Sequence, residues 1–362
     1  MQANSVGQQD MNEVVNEVEG LTPAWMSEAL RRSGALTRGS VAGVRLKSRR
    51  ELFVSVVACL EITYTPDVDA AAPRHLFLKI QKAESEEACE EPPAEIVFYR
   101  RAAREMLDPP LPRCFDAAFA RASGRWHLLL EDLSATHAPA SQVPSFDECA
   151  LAVDSLAQIH AHWWEHPGLG TDVGRFLSPA QVESLAREMA SNHERFAAVL
   201  GDRLATEHRK IYAKVLATFP RPWIRLTTAK GLTLTHGDAH TWNFLYPRMA
   251  GGRAILVDWQ LWHAHIGPRD LAYMMTLFWD SERRAEMEEK LLRRYHQGLL
   301  ARGVERYGWE QCWKDYRWSA IRNIFIPTWQ WLKGMDTDVC LSRTLKALNA
   351  FEDLHCIELI ES

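Results

Sequence analysis

The spacing of apolar residues changes character once along the chain. Up to about residue 133 apolar residues fall in short β-branched and aromatic runs with two helical stretches between them, and beyond that mostly at the 3.6-residue period of helices. Residues 1–20 are polar and predict a flexible arm. Thr22-Pro23 then opens a helix, with Thr as its cap and Pro in the first turn, and Gly34 closes it. From Val41 onward, VAGVRLKS, FVSVVACLEITYT and HLFLKIQ are rich in β-branched and aromatic residues and predict three strands. PDVDAAAP, residues 66–73, reads as the turn between the last two. After the acidic stretch SEEACEEPP a helix begins near Ala94, with Ile96, Tyr99 and Ala103 on one stripe. LPRCFDAAFA and RWHLLLEDL predict two more strands. The sum is a small five-stranded antiparallel sheet with one inserted helix.

Beyond Leu133 the pattern is mainly helical. SFDECALAVDSLAQIHAHWWEH, SPAQVESLAREMASNHERFAAVL and ATEHRKIYAKVLATF carry helical periodicity. One short β-like patch interrupts, LTLTHGDAHTWNFLYP followed by AILVDWQLW. Helices then run from Pro268 to about Asp280, Ser281 to Arg302, Trp309 to about Lys333, and Leu341 to Ile360. The class is α+β. The arm spans 1–20, a β-rich N-lobe 21–133 and a helical C-lobe 134–362, with a link near Glu131–Ser134. No internal repeat breaks this division.

Composition narrows the function. Charged residues make up 25% and the net charge is −5, so nothing basic calls for nucleic acid or an anionic membrane surface. No stretch approaches the ~20 apolar residues that span a bilayer. The N-terminus has neither a basic start nor an apolar run, so no signal peptide is expected. The 7 cysteines are scattered without CxxC spacing, which fits a reducing, cytoplasmic setting and excludes a zinc or redox motif. The 14 tryptophans suit either core filling or an aromatic-walled pocket.

The chemistry concentrates in the β-like patch. It holds His236, Asp238 and Asn243, and Asp258 lies fifteen residues beyond Asn243. Phosphoryl transfer needs this set: one carboxylate beside an accepting hydroxyl, and an amide oxygen and a second carboxylate to hold Mg²⁺. HGDAHTWN resembles the HxDxxxxN loop of aminoglycoside phosphotransferases, choline kinases and related small-molecule kinases. VDWQ resembles their magnesium-binding segment, and VDWQLWH…GPRDLAYMM is most similar to the branch holding ecdysteroid-kinase-like phosphotransferases. The resemblance implies a bilobal protein-kinase-like fold with a nucleotide in the cleft between lobes. It implies Asp238 as catalytic base, Asn243 and Asp258 as metal ligands, and His236 and Asp270 as structural supports of the loop.

In the N-lobe, Lys79 interrupts the otherwise apolar HLFLKIQ, and Glu95 follows sixteen residues later at a helix start. A strand-end lysine in water and a helix-start glutamate explain the two separately. By resemblance, they form the ion pair that holds nucleotide phosphates. The turn after the first strand, KSRRELFVSV, lacks the glycines of a phosphate-cradling loop, so Ser48 and Arg49, with Arg50, are the candidate phosphate donors. Glu131 and Leu133 resemble the hinge whose backbone reads the base. Trp262 and Trp329 are candidates for an acceptor pocket. His160 with His162, and His263 with His265, are each two apart with no further ligands in view, which argues against a metal.

The expected activity is transfer of the γ-phosphate of ATP, or GTP, to the hydroxyl of a small molecule, with Mg²⁺. A nucleotide and a hydroxyl-bearing acceptor are the expected partners, in a monomer or homodimer. The alternative is a catalytically silent pseudokinase acting through a partner. A protein kinase is disfavoured by the missing HRD, DFG and APE.

Overall fold

The computed structural model describes residues 14–52, 55–82, 91–140, 143–219, 223 and 226–361. The chain divides into two compact units. One is Met1–Ala138 with Pro247–Ala250 and Val257–Gln260; the other is Pro139–Tyr246, Gly251–Leu256 and Leu261–Ser362. Most of the expected arm lies outside the described residues. Its last part does not follow the expectation: Val15 and Val18 are buried, and the Val15 N–H donates to His127. Two buried valines three positions apart tie down this end of the segment.

The first unit is built on the five-stranded sheet. Its strands are β1 (Val41–Glu51), β2 (Ser55–Tyr64), β3 (His75–Gln81), β4 (Cys114–Ala120) and β5 (Arg125–Glu131), in the order β1-β2-β3-β5-β4. Every neighbouring pair is antiparallel. Alternation sorts the faces. Leu76, Leu78 and Ile80 of β3 join Val56, Leu60 and Phe115 in a core closed by Met26 and Leu30 of helix α1 (Pro23–Arg32). Thr22 caps α1 through the Trp25 N–H, as expected.

The opposite face of β3 carries Lys79, between Val57 of β2 and Leu128 of β5. Helix α2 (Ala94–Arg100) supplies buried Glu95, Ile96, Phe98 and Tyr99. The expected stripe through Ala103 is corrected. The backbone breaks at Arg101 (φ −120°, ψ −74°), the short α3 (Ala102–Glu105) follows, and Ala102 is the buried residue. A break in the helix resets which side chain faces inward.

The second unit is helical: α4 (Phe146–His162), α5 (Pro179–Leu200), α6 (Thr206–Ala217), α7 (Pro268–Phe278), α8 (Ser281–Leu300), α9 (Trp309–Asn323), α10 (Ile326–Leu332), α11 (Thr337–Asp353) and α12 (Ile357–Glu361). Capping boxes at Ser145/Glu148 and Ser178/Gln181 start α4 and α5. From Pro268 to Leu277, α7 is buried along its length, and it packs on α9 while α4 packs on α8. The single helix expected from Trp309 to Lys333 is two. Pro327 has no N–H to donate to the Asn323 carbonyl, so α9 ends and α10 begins. The last long helix starts four residues before the expected Leu341, where Asp336 accepts the N–H groups of Asp338 and Val339. No helix among the described residues is long and apolar enough to cross a membrane. The six cysteines among them are free thiols.

Candidate functional site

In the first unit, Lys79 stands at the middle of an ion cluster. Its Nζ lies 2.6 Å from Glu95 Oε2 and 3.2 Å from Asp258 Oδ1. Lys79 is 6% exposed and Glu95 4%, whereas the Asp258 side chain is 45% exposed. Burial works against the ammonium, but the two carboxylates outweigh it and raise the Lys79 pKa above its ordinary value. The lysine is therefore charged at neutral pH. The Glu95 Oε1 accepts the Trp259 N–H, which ties α2 to the segment carrying Asp258. Phe98 stacks on the Trp259 ring at 3.9 Å, nearly parallel. Asp258 itself adopts φ +67°. That left-handed conformation costs a non-glycine residue on the order of 1–3 kcal/mol and concentrates at functional sites.

Ser48 and Arg49 are not in a turn. β1 continues to Glu51, with Ser48 opposite Cys59 and Arg49 opposite Ala58. Arg49 pairs with Glu51 at 3.3 Å. The absence of glycine is what lets the ladder persist, since polar residues with ordinary side chains extend a strand edge at little cost. Of the acidic stretch after β3, Glu84, Glu86, Glu87 and Glu90 fall outside the described residues. At the end of β5, the Glu131 N–H donates to the Arg113 carbonyl, and the Leu133 carbonyl accepts from both Thr136 and His137.

In the second unit, the HGDAHTWN loop follows the strand Thr233–Thr235 and leads through a short 3₁₀ turn, Thr241–Asn243, into the strand Phe244–Pro247. The side chain of Asp238 is 26% exposed. Its backbone N–H donates to His236 Nδ1, and Asn243 Nδ2 donates to the Asp238 carbonyl at 2.9 Å and carboxylate at 3.3 Å. Burial and the nearby Asp238 carboxylate raise the pKa of the Tyr273 hydroxyl. His240 lies 3.5 Å from the same carboxylate, and burial lowers the imidazole's pKa.

The loop owes its shape to Asp270 on the first turn of α7. One carboxylate oxygen accepts the His236 N–H at 2.6 Å, and the other the Gly237 N–H at 3.0 Å. Burial alone would raise the Asp270 pKa; hydrogen bonding to His160, with Arg269 and His236 nearby, overrides it and holds the group well below the usual carboxylate range. His160 contacts Asp270 through Nε2 at 3.2 Å and the Tyr295 hydroxyl through Nδ1 at 2.8 Å. Gly237 has φ +86°, and a Cβ there would meet the Leu261 carbonyl oxygen at 2.1 Å. Glycine is required at that position.

His160, weighed in the sequence only as a metal ligand, braces Asp270, and Tyr295 in turn braces His160. The signal was present: Val153, Leu156, Ala157 and His160 fall on one apolar helical stripe, and a histidine there needs a buried partner. His263 and His265 lie on a strand, Ala264 between them, paired with Thr233–Thr235. No group of three or more metal-ligating His, Cys, Asp or Glu occurs among the described residues.

A cavity of about 290 Å³ adjoins the loop within this unit. Gly237, Tyr273, Arg269, Arg322, Met189 and Trp329 are among its lining residues. Trp262, expected in such a pocket, is not; its ring packs near Gly174 instead. The strand containing His263 turns His263 toward the cavity, and the side chain before it goes elsewhere.

Residues 170–305 match the model of the ecdysteroid kinase-like family. The sequence has no match among curated proteins. Among solved structures, a protein of Ralstonia eutropha JMP134 described as an aminoglycoside phosphotransferase is similar in fold. It is 14% identical, with 92% of this chain and 97% of that one covered and a TM-score of 0.55. A mutant of the aminoglycoside 2'-phosphotransferase IIIa, solved with GDP, is 12% identical, with 88% and 93% covered and a TM-score of 0.50. The fold is thus the kinase-like fold of small-molecule phosphotransferases, the superfamily that the motifs resemble.

Proposed function

We propose that this protein is a phosphotransferase that passes the γ-phosphate of ATP or GTP to a hydroxyl of a small molecule. The observation that carries the reading is Lys79: a charged lysine buried on a strand, paired with a helix glutamate and with the aspartate of VDWQ. A lysine is almost never buried without a reason beyond packing. Such a pair holds nucleotide phosphates in kinases.

In this reading Lys79 neutralises phosphate charge and Glu95 keeps its ammonium in place. Asp238 orients the acceptor hydroxyl and takes its proton. A carboxylate is suited to that task when it is partly open and held from behind, as Asn243 holds it. With Asn243 Nδ2 committed to Asp238, the amide oxygen is the atom left for a cation. Asn243 and Asp258 offer the hard oxygen donors that Mg²⁺ prefers, and the ion, when bound, neutralises charge on the transferring phosphate. His236 and Asp270 keep the loop in shape and touch no reactant. Glu131 and Leu133 are assigned the base-reading link, and Trp329 a wall of the acceptor pocket.

The test is Mg²⁺-dependent ATP and GTP consumption over a panel of amino alcohols, sugars, aminoglycosides, hydroxy acids and steroids, with Asp238→Ala run in parallel. Stimulation by one class, abolished in the variant, is the expected result. Failure to bind either nucleotide would sink the reading.

A further inference from the structure

The cavity beside the Asp238 loop is chemically lopsided. Leu185, Met189, Phe325, Ile326 and Leu332 form its apolar part. Arg269 and Arg322 lead its polar part, with Asn192, His263, Tyr273 and Thr328. Arg269 is 4% exposed, yet its Nε and Nη1 have no hydrogen-bond partner. Its nearest carboxylate, Asp270, is 3.8 Å away and already accepts two backbone N–H groups and contacts His160. The Thr328 hydroxyl is also buried and unpartnered. Arg322 is held from one side by His265.

Buried donors without acceptors are costly, and a guanidinium loses more than a neutral donor. Evolution retains them where a ligand supplies the acceptors. Burial and the neighbouring Arg269 also pull the Arg322 pKa down, a cost that an arriving anion relieves. Burial and the two arginines lower His263 to about 3, so the imidazole adds no positive charge at neutral pH. Glu188, the lining carboxylate, is exposed on α5.

We propose that the acceptor of this protein is a hydroxylated molecule with an apolar body and a carboxylate, the carboxylate being held by Arg269 and Arg322. The inference rests on the phosphotransferase reading for what happens to the hydroxyl, and on the cavity alone for what binds. The unpartnered Nε and Nη1 of Arg269 offer N–H donors to carboxylate oxygens, and the apolar wall takes the hydrocarbon. A quaternary or primary amine is repelled by the same two guanidinium groups. The aromatic wall offered by Trp329 therefore serves packing and not cation recognition.

The experiment titrates the full chain with ω-hydroxyoctanoate, its methyl ester and the matching amino alcohol, by calorimetry without nucleotide. The acid is expected to bind at least about tenfold more tightly than either analogue. Arg322→Leu should erase that preference, Arg322→Lys should keep most of it, and Arg322→Glu should transfer it to the amine. Circular dichroism melts confirm that each variant is folded, and the three-way comparison survives the loss of any one. Equal binding of the three probes, or an unchanged preference in Arg322→Leu, overturns the proposal. A labelled-nucleotide titration separates the two readings. Acid preference without nucleotide binding sinks the phosphotransferase reading and leaves the cavity assignment standing; nucleotide binding without acid preference does the reverse.

Discussion

Lys79 and Asp270 are both buried charges, and the two units stabilise them by opposite means. In the first unit the charge is met by opposite charges: Lys79 has Glu95 on one side and the half-open Asp258 on the other. In the second it is met chiefly by dipoles: Asp270 takes two backbone N–H groups and His160, with the Arg269 guanidinium farther off at 3.8 Å, and is fully shielded from water. An ion cluster with one exposed member can trade that member's contact for a ligand. A carboxylate saturated by backbone donors has nothing to trade and can only impose a shape. The first arrangement suits a residue that meets substrate, the second one that positions a loop.

Substitutions can break this contrast, and the largest effect is expected at Asp238. Asp238→Ala should cut kcat by roughly 10²–10⁴-fold, the usual worth of a general base, with little change in melting temperature because the side chain is partly exposed. A steady-state assay beside a thermal melt reads both. Lys79→Met should lower activity by on the order of 10²–10³-fold. It should also cost about 3–5 kcal/mol by stranding Glu95 in the interior. Adding Glu95→Leu should restore stability and not activity. If the double variant regained activity, the ion pair would have only a structural part.

Asp270→Asn is expected to cost about 3 kcal/mol in urea unfolding, since one backbone N–H loses a charged acceptor and His160 loses its partner. The pH dependence has a definite sign. The Asp270 pKa is depressed in the folded protein, so its stabilisation is complete above the unfolded value, about 3.9, and is lost as pH falls from there toward the folded pKa. The stability gap between native protein and variant should be flat near neutrality and shrink only in acid. Gly237→Ala should cost about 1–3 kcal/mol from its positive φ alone, with the Leu261 carbonyl adding to it. Arg49→Ala should be the mildest, with nucleotide KM changing less than about threefold, because an exposed pair within a strand contributes little. A large rise in KM would return Arg49 to the phosphate site.

Much of the fold was readable because local rules and tertiary structure agree. β-branched and aromatic runs marked all five strands, the Thr22 cap marked the start of α1, and helical periodicity marked α4 and α5. The reading failed where a single backbone group decided the outcome. Pro327 splits one expected helix, and Arg101 divides another and moves the buried position from Ala103 to Ala102. Ser48 and Arg49 were expected in a phosphate-cradling turn after the first strand, whereas the strand continues through both to Glu51.

The chain alone determined the motif residues, their spacing and the alternation that turns Lys79 away from the Leu78 face, because these depend on residues near one another in sequence. Tertiary structure alone decided the rest. The carboxylate that shapes the Asp238 loop is braced by a histidine 110 positions away from it, and that histidine by a tyrosine 135 positions from itself. Two arginines from α7 and α9 meet in one cavity while Trp262 is left out of it. Such contacts leave no local periodicity; they follow from helices packing through their buried faces, and only the packed chain selects which polar side chains are enclosed together.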